Sequence, residues 1–222
     1  LRNSERKIVD MGITEEALLM VENDPVFFHK KTTVLFKPDW HKGVIGIVAS
    51  RLIERFFRPT IVLTASNNIV SGSARSIPGF DIYNAIKECS DLLDQFGGHK
   101  YAAGLTLKEE NLVAFIDRFE TVVADTIDDN LLIPEIQIDA ELPLRDVTAK
   151  FYQILQQFAP FGPGNTRPVF VCTDVTSTKW TSVVGNNHLK LYLKQENSPV
   201  VKGIAYNMGH LLEPIANGEP FD

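Results

Sequence analysis

The stretch FGGHKYAAGLTL, Phe96–Leu107, strips side-chain bulk from both sides of one histidine. Gly97 and Gly98 precede His99, and Ala102, Ala103 and Gly104 follow it two residues later. Glycine lets a ligand or another strand approach the backbone and adopts positive φ without steric cost. The stretch fits two chemistries. In one, it is a helix C-cap followed by a tight turn, with His99 a satisfied polar residue. In the other, free N–H groups form an anion-binding nest and His99 donates to a phosphate oxygen.

Working outward, AAGLTL reads as a strand. Upstream, FDIYNAIKECSDLLDQF predicts a helix with Asp81 near its start and Ile82, Ile86, Cys89, Leu92 and Leu93 on its apolar face. NNIVSGSARS predicts a turn and a strand, and TIVLTA a buried β-branched strand. WHKGVIGIVASRLIERFFRP predicts a mostly buried helix stopped by Pro59, preceded by the short strand TTVLF. Downstream, KEENLVAFIDRFETVVADTID is strongly helical in period. Residues 4–22 predict a further helix that ends before Asp24-Pro25. The order strand-helix-strand-strand-helix-strand-helix gives an α/β layer with a mixed sheet. The pattern changes at Ile133-Pro134. EIQIDAEL alternates like a strand, TAKFYQILQQFAPF predicts a short helix, and GPGNTRP a loop. VFVCTDV, HLKLYLK and VVKGIAY then predict strands of a small β domain of barrel type, with a turn at GNNH.

The composition, 44% hydrophobic and 23% charged over 222 residues, fits a globular chain with a proper core. No run has the length of a membrane span, and the N-terminus lacks the apolar core of a signal peptide. Without an initiator Met, the chain is expected to be a piece of a longer one. Cys89 and Cys172 stand far apart with no metal-type spacing, which suits a reducing cytoplasm. The net charge of -6 is uneven: residues 111–148 carry -7 and residues 30–110 carry +3. For a phosphate ligand the local field outweighs the total.

Three constellations carry possible chemistry. Ser71, Ser73 and Arg75 of SGSARS would share one strand face, offering hydroxyls and a guanidinium fork that suits phosphate. On spacing alone, an exposed polar edge strand with a surface arginine explains them better. His41 and Lys42 fall just before a helix, where the dipole favours anions. Phe158, Phe161 and Gly164, and Lys179 with Trp180, could stack bases, although the phenylalanines read better as core residues closing a barrel. No HExxH, P-loop or GxSxG elbow occurs, and no Asp/His cluster has metal spacing.

Taken together, WHKGVIGIVASRL, SGSARSIPGFDIYNAI and FGGHKYAAGLTL, in that order, resemble the DHH-associated domain of the RecJ family. These are single-strand-specific 5′→3′ exonucleases of the DHH phosphoesterase superfamily. FAPFGPGNTRPVF, HLKLYL and VKGIAYNMG resemble the OB-fold domain that follows it, and NSERKIVDMGITEEALLMV the connecting helix before it. The resemblance implies a connecting helix over 1–29, a DHH-associated domain over 30–133 and an OB-fold domain, incomplete at its end, over 134–222. It also implies that manganese or magnesium is held by an Asp-His-His domain lying outside this chain. Arg75, with Ser73 and Ser76, would grip a backbone or terminal phosphate of single-stranded DNA. His99, set by Gly97 and Gly98, would stabilise charge on the scissile phosphate, and His41 would line the same cleft. The chain alone is then expected to be inactive, with the Asp-His-His domain and a single-strand-binding protein as partners and no membrane association. A small-nucleotide phosphoesterase of the same superfamily and a non-catalytic strand-binding module are the alternatives.

Overall fold

A run of 21 residues forms α1 (Asn3–Asn23). Asp24 terminates it: the carboxylate accepts from Val26 N at 3.0 Å and opens a 3-10 turn over Pro25–His29. The computed structural model describes residues 3–66, 68–162, 164–196 and 198–222. They divide into two compact units, Leu1–Pro134 and Glu135–Asp222.

In the first unit, β1 (Thr33–Phe36) runs through α2 (Ile45–Phe56) to β2 (Thr60–Ser66), which pairs with it in parallel. Phe57, at φ +47°, closes α2. Next come β3 (Ile69–Arg75), α3 (Ile82–Lys87), β4 (Gln95–His99), β5 (Ala102–Lys108) and α4 (Leu112–Thr126). The sheet order is β1-β2-β3-β5-β4, with every pair after the first antiparallel. The sheet is mixed, as its α/β pattern predicts.

The strand period of two divides the core. On one face Leu35 and Val62 pack with Ala17 and Val21 of α1 and with Val48 and Leu52 of α2. On the other, Ile61, Leu63, Ala74 and Leu107 pack with Ile82 and Ile86 of α3 and with Phe115 and Phe119 of α4. Each fully buried phenylalanine contributes about 1.5–3 kcal/mol by leaving water. On the first face, α2 lies over β2 and β3, and α1 packs on α2. On the same face of β5 and β4, Gly104, Gln95, Gly97 and His99 are exposed.

Two expectations change. The helix predicted from Phe80 stops at Lys87, and Ser90–Leu92 forms a 3-10 turn. Gln95–His99 is then a strand, so FGGH is neither a helix nor a helix cap. Ser90, Asp91 and Asp94 favour local turns over helix. The strand begins where Asp94 N donates to Thr106 O at 2.9 Å. Leu92 and Leu93 still pack on the core, but from the turn. SGSARS is not an edge strand: β3 is the middle of five.

In the second unit, β6 (Ala140–Glu141) is much shorter than its alternating sequence predicts and pairs in parallel with β7 (Phe170–Val171). Between them lies α5 (Ala149–Gln156), whose Thr148 side chain accepts from Phe151 N at 3.1 Å. A four-stranded antiparallel sheet follows: β8 (Thr176–Ser177), β9 (Ser182–Val184), β10 (His188–Lys194) and β11 (Val201–Ala205). The predicted GNNH turn joins β9 to β10, with positive φ at Gly185 and Asn187. Helix α6 (Leu212–Ile215) comes last. Among the described residues these ladders do not close on one another.

Candidate phosphate-binding face

The register of β3, β5 and β4 builds the site. Directly opposed residues of antiparallel strands share a face. One row is Arg75, Ala102 and His99; the next is Ser73, Gly104 and Gly97; the third is Ser71, Thr106 and Gln95. Rows lie about 7 Å apart, and β3 lies about 10 Å from β4 across the sheet. A guanidinium and an imidazole thus flank two alanine- and glycine-floored rows on one open face.

Arg75 is held at one side. Its Nη1 donates to Ser73 Oγ at 3.1 Å and to Ala74 O at 2.8 Å. A Cβ on Gly46, in the first turn of α2, would come 2.9 Å from both Arg75 Nη2 and Ser73 Oγ. Gly46 is what lets the guanidinium lie against the helix. Arg75 is half-buried, and among the described residues it pairs with no carboxylate. Nε and Nη2 remain available to an oxyanion, the geometry for which an arginine fork is suited.

His99 is exposed at the end of β4. Its Nδ1 accepts from Tyr101 N at 3.3 Å, so the neutral ring carries its hydrogen on Nε2. His41 repeats the arrangement: Nδ1 accepts from Gly43 N at 2.9 Å. His41 lines a depression with Lys42 and Ser71, next to the rows above.

The two glycines of the opening motif differ. Gly98 has φ +148°, and a Cβ there would sit 2.3 Å from Ala102 O and 2.5 Å from Ala103 Cα. It is required by the hairpin itself. A Cβ on Gly97 would meet nothing within 4 Å, and one on Gly104 only Gly72 O at 3.9 Å. Neither is demanded by packing or by φ. Ser76 stands outside the rows: its Oγ donates to Phe80 O at 2.9 Å and its N to Tyr101 O at 3.0 Å, closing a turn.

Among the described residues, no three His, Cys, Asp or Glu side chains are grouped to hold a metal ion. No helix is long and apolar enough to cross a membrane. In the second unit, Phe158 is 61% exposed and Trp180 66%, so the core reading of Phe158 does not hold. Phe161 is half-buried beneath the Arg167 guanidinium, and Gly164 takes φ +80°. Lys179 lies over the Trp180 ring. Sequence reasoning missed a further cluster: Lys190 and Lys202 both lie over the Tyr192 ring, at 5.3 and 5.6 Å. The Lys190 ammonium beside it holds the Tyr192 phenol below its usual range. Strand alternation places Lys190 and Tyr192 on one face, but only the β10–β11 register pairs Tyr192 with Lys202.

The α/β unit and the small β unit that follows it each match a family model: the DHHA1 domain matches residues 29–125 and the RecJ OB domain residues 138–222. The single-stranded-DNA-specific exonuclease RecJ of Bacillus subtilis is 34% identical over 219 residues, 97% of this chain but 28% of that protein. RecJ of Escherichia coli is 33% identical, covering 96% of this chain and 38% of its own length. A crystal structure of RecJ from Thermus thermophilus in complex with Mn2+ superposes with TM-score 0.76 at 28% identity, over 93% of this chain and 29% of that one. The chain belongs to the RecJ family and spans its DHHA1 and OB domains. It covers well under half the length of these relatives.

Proposed function

We propose that this chain is the strand-holding part of a single-stranded-DNA-specific 5′→3′ exonuclease. The observation that carries the reading is the Arg75–Ser73 pair, seated against Gly46 without a carboxylate partner, on a face that Gly97 and Gly104 leave bare. The fork of Arg75 and the hydroxyl of Ser73 bind a phosphate. Nε2–H of His99, oriented by the Tyr101 amide, donates to a phosphate oxygen and stabilises charge as it develops there. His41 presents the same edge from the neighbouring depression. Gly97 keeps the approach open and Gly98 fixes the hairpin that aims His99.

RecJ structures are known in complex with Mn2+ and with Mg2+. Among the described residues no three His, Cys, Asp or Glu side chains are grouped to hold such a cation; we assign its ligands and the attacking water to the Asp-His-His domain that the family resemblance implies outside this chain. In the second unit, Trp180 and the Lys190–Tyr192–Lys202 cluster suit a single strand passing over the sheet, with bases on the rings and phosphates on the lysines. The test is hydrolysis of single-stranded and duplex DNA by a protein in which this chain is joined to the Asp-His-His domain. Arg75→Ala should weaken substrate binding about tenfold or more, and His99→Ala should mainly lower turnover. Near-unchanged kinetics in both variants would overturn the reading.

A further inference from the structure

The segment that joins β1 to α2 carries His41, and helix α1 holds that segment. Two donors converge on one carboxylate: Lys37 Nζ and Trp40 Nε1 both donate to Glu16 of α1, the indole at 2.7 Å. The backbone of the segment is fixed separately, from β2. Thr64 Oγ1 donates to Trp40 O at 2.6 Å, and Lys37 N donates to Leu63 O at 3.2 Å. The Trp40 ring is 4% exposed and belongs to the same buried cluster as Ala17 of α1, Leu35 of β1 and Ile45 of α2.

His41 follows directly, and its ring turns back over its own chain. A Cβ on Gly43 would come 2.9 Å from His41 Cε1, so the glycine makes room for the ring whose Nδ1 its amide meets. Val44 N donates to His41 O at 3.0 Å. The imidazole is thus tied to the backbone around it, and its place depends on where residue 40 stands. Trp40, His41 and Thr64 line one depression. Stability alone does not account for Glu16. Burial of the indole already anchors the segment, and an ion pair whose carboxylate side is 41% exposed adds little. What the Glu16–Trp40 hydrogen bond adds is direction, because an N–H donor must point at its acceptor.

We infer that Glu16 is a positioning residue for His41, acting through the Trp40 indole, so that α1 sets where this imidazole stands. The use of that position rests on the reading of His41 as a phosphate contact. Glu16 itself touches no substrate. Its carboxylate orients the indole, the indole and Thr64 together fix residue 40, and the Gly43 amide then occupies His41 Nδ1. Nε2–H is left to donate outward. Glutamine at position 16 would keep an oxygen acceptor for the indole and lose only the charge.

The test reads the imidazole directly. Nitrogen NMR of the histidines in the chain, at a pH where the rings are neutral, should show His41 as one tautomer with its hydrogen on Nε2. Glu16→Ala and Trp40→Phe should both turn this into a mixture of tautomers. His99, whose Nδ1 accepts from the Tyr101 amide, should stay unchanged. Glu16→Gln should keep the wild-type signal. The same variants are then titrated with an oligodeoxythymidylate at low salt, followed by fluorescence anisotropy. His41→Ala, Glu16→Ala and Trp40→Phe should each weaken binding about fivefold, the size of one hydrogen bond. In a His41→Ala background, Glu16→Ala should add no further loss. An unchanged His41 signal in Glu16→Ala, an equal change at His99, or independent losses in the double variant would overturn the inference. If His41→Ala binds as tightly as wild type, the reading of His41 as a phosphate contact fails instead, and the imidazole signals still judge Glu16.

Discussion

Gly97 and Gly98 are adjacent and identical in sequence, yet they do different things. Gly98 is bound by its φ of +148° and by the backbone of Ala102 and Ala103. A residue with a side chain there costs about 1–3 kcal/mol in strain alone. Gly98→Ala should destabilise the chain by at least that much in urea unfolding. Gly97→Ala should leave stability within about 0.5 kcal/mol, while weakening binding of single-stranded DNA. Equal stability losses in the two variants would contradict this division. A second residue-scale prediction concerns Glu16. Its carboxylate accepts from Lys37 Nζ and from Trp40 Nε1, the latter at 2.7 Å. The Lys37 hydrogen bond, and then that of Trp40, hold Glu16 below its ordinary value of 4.5. A depressed carboxylate stabilises the fold above that ordinary value, and the contribution fades as pH falls below it. Glu16→Gln should therefore shrink the stability difference between pH 7 and pH 3. Because the side chain is 41% exposed, the change should stay under about 1 kcal/mol.

At the scale of elements, the first turn of α2 and strand β3 depend on one another. Alanine in a helix is favoured over glycine by about 1 kcal/mol. At position 46 the added methyl meets Arg75 Nη2 and Ser73 Oγ at 2.9 Å. Gly46→Ala should leave the melting temperature nearly unchanged and lower single-strand affinity as Arg75→Ala does, measured by fluorescence anisotropy. An affinity equal to wild type would show that the guanidinium is not positioned by α2. The strands β2, β3 and β5, and α2 and α4, were legible from period and composition because each buries a simple face. Strand β4 was not. Its residues Gln95, Gly97, Gly98 and His99 have little strand preference, and burial is slight. It exists because β5 offers it a ladder, from Gln95↔Thr106 to His99↔Ala102. With β4 unseen, the sequence could place Ser73 beside Arg75 but could not bring His99 into line with them.

For the whole molecule, the two units differ in what they bury. The first packs apolar side chains on both faces of its sheet. In the second, Leu144, Val175 and Leu189 are the buried apolar residues among those described. Ile133, Ile136 and Ile138, where the chain passes from one unit to the next, are 61%, 77% and 49% exposed. Calorimetry should resolve two transitions, the lower belonging to residues 135–222. Limited proteolysis should cut first near residues 133–138. One cooperative transition, with no early fragment, would show that the units unfold as one.

The sequence by itself determined the kind of fold and the kinds of residue at the site. Hydrophobic period fixed the buried strands and helices, and the arginine, the histidines and the glycines were chemically conspicuous. Tertiary structure alone decided which of them act together. Strand pairing is non-local, so the alignment of Arg75, Ser73, Gly97 and His99 depends on a register that no short stretch encodes. The same pairing separated a glycine the backbone requires from a glycine that leaves space.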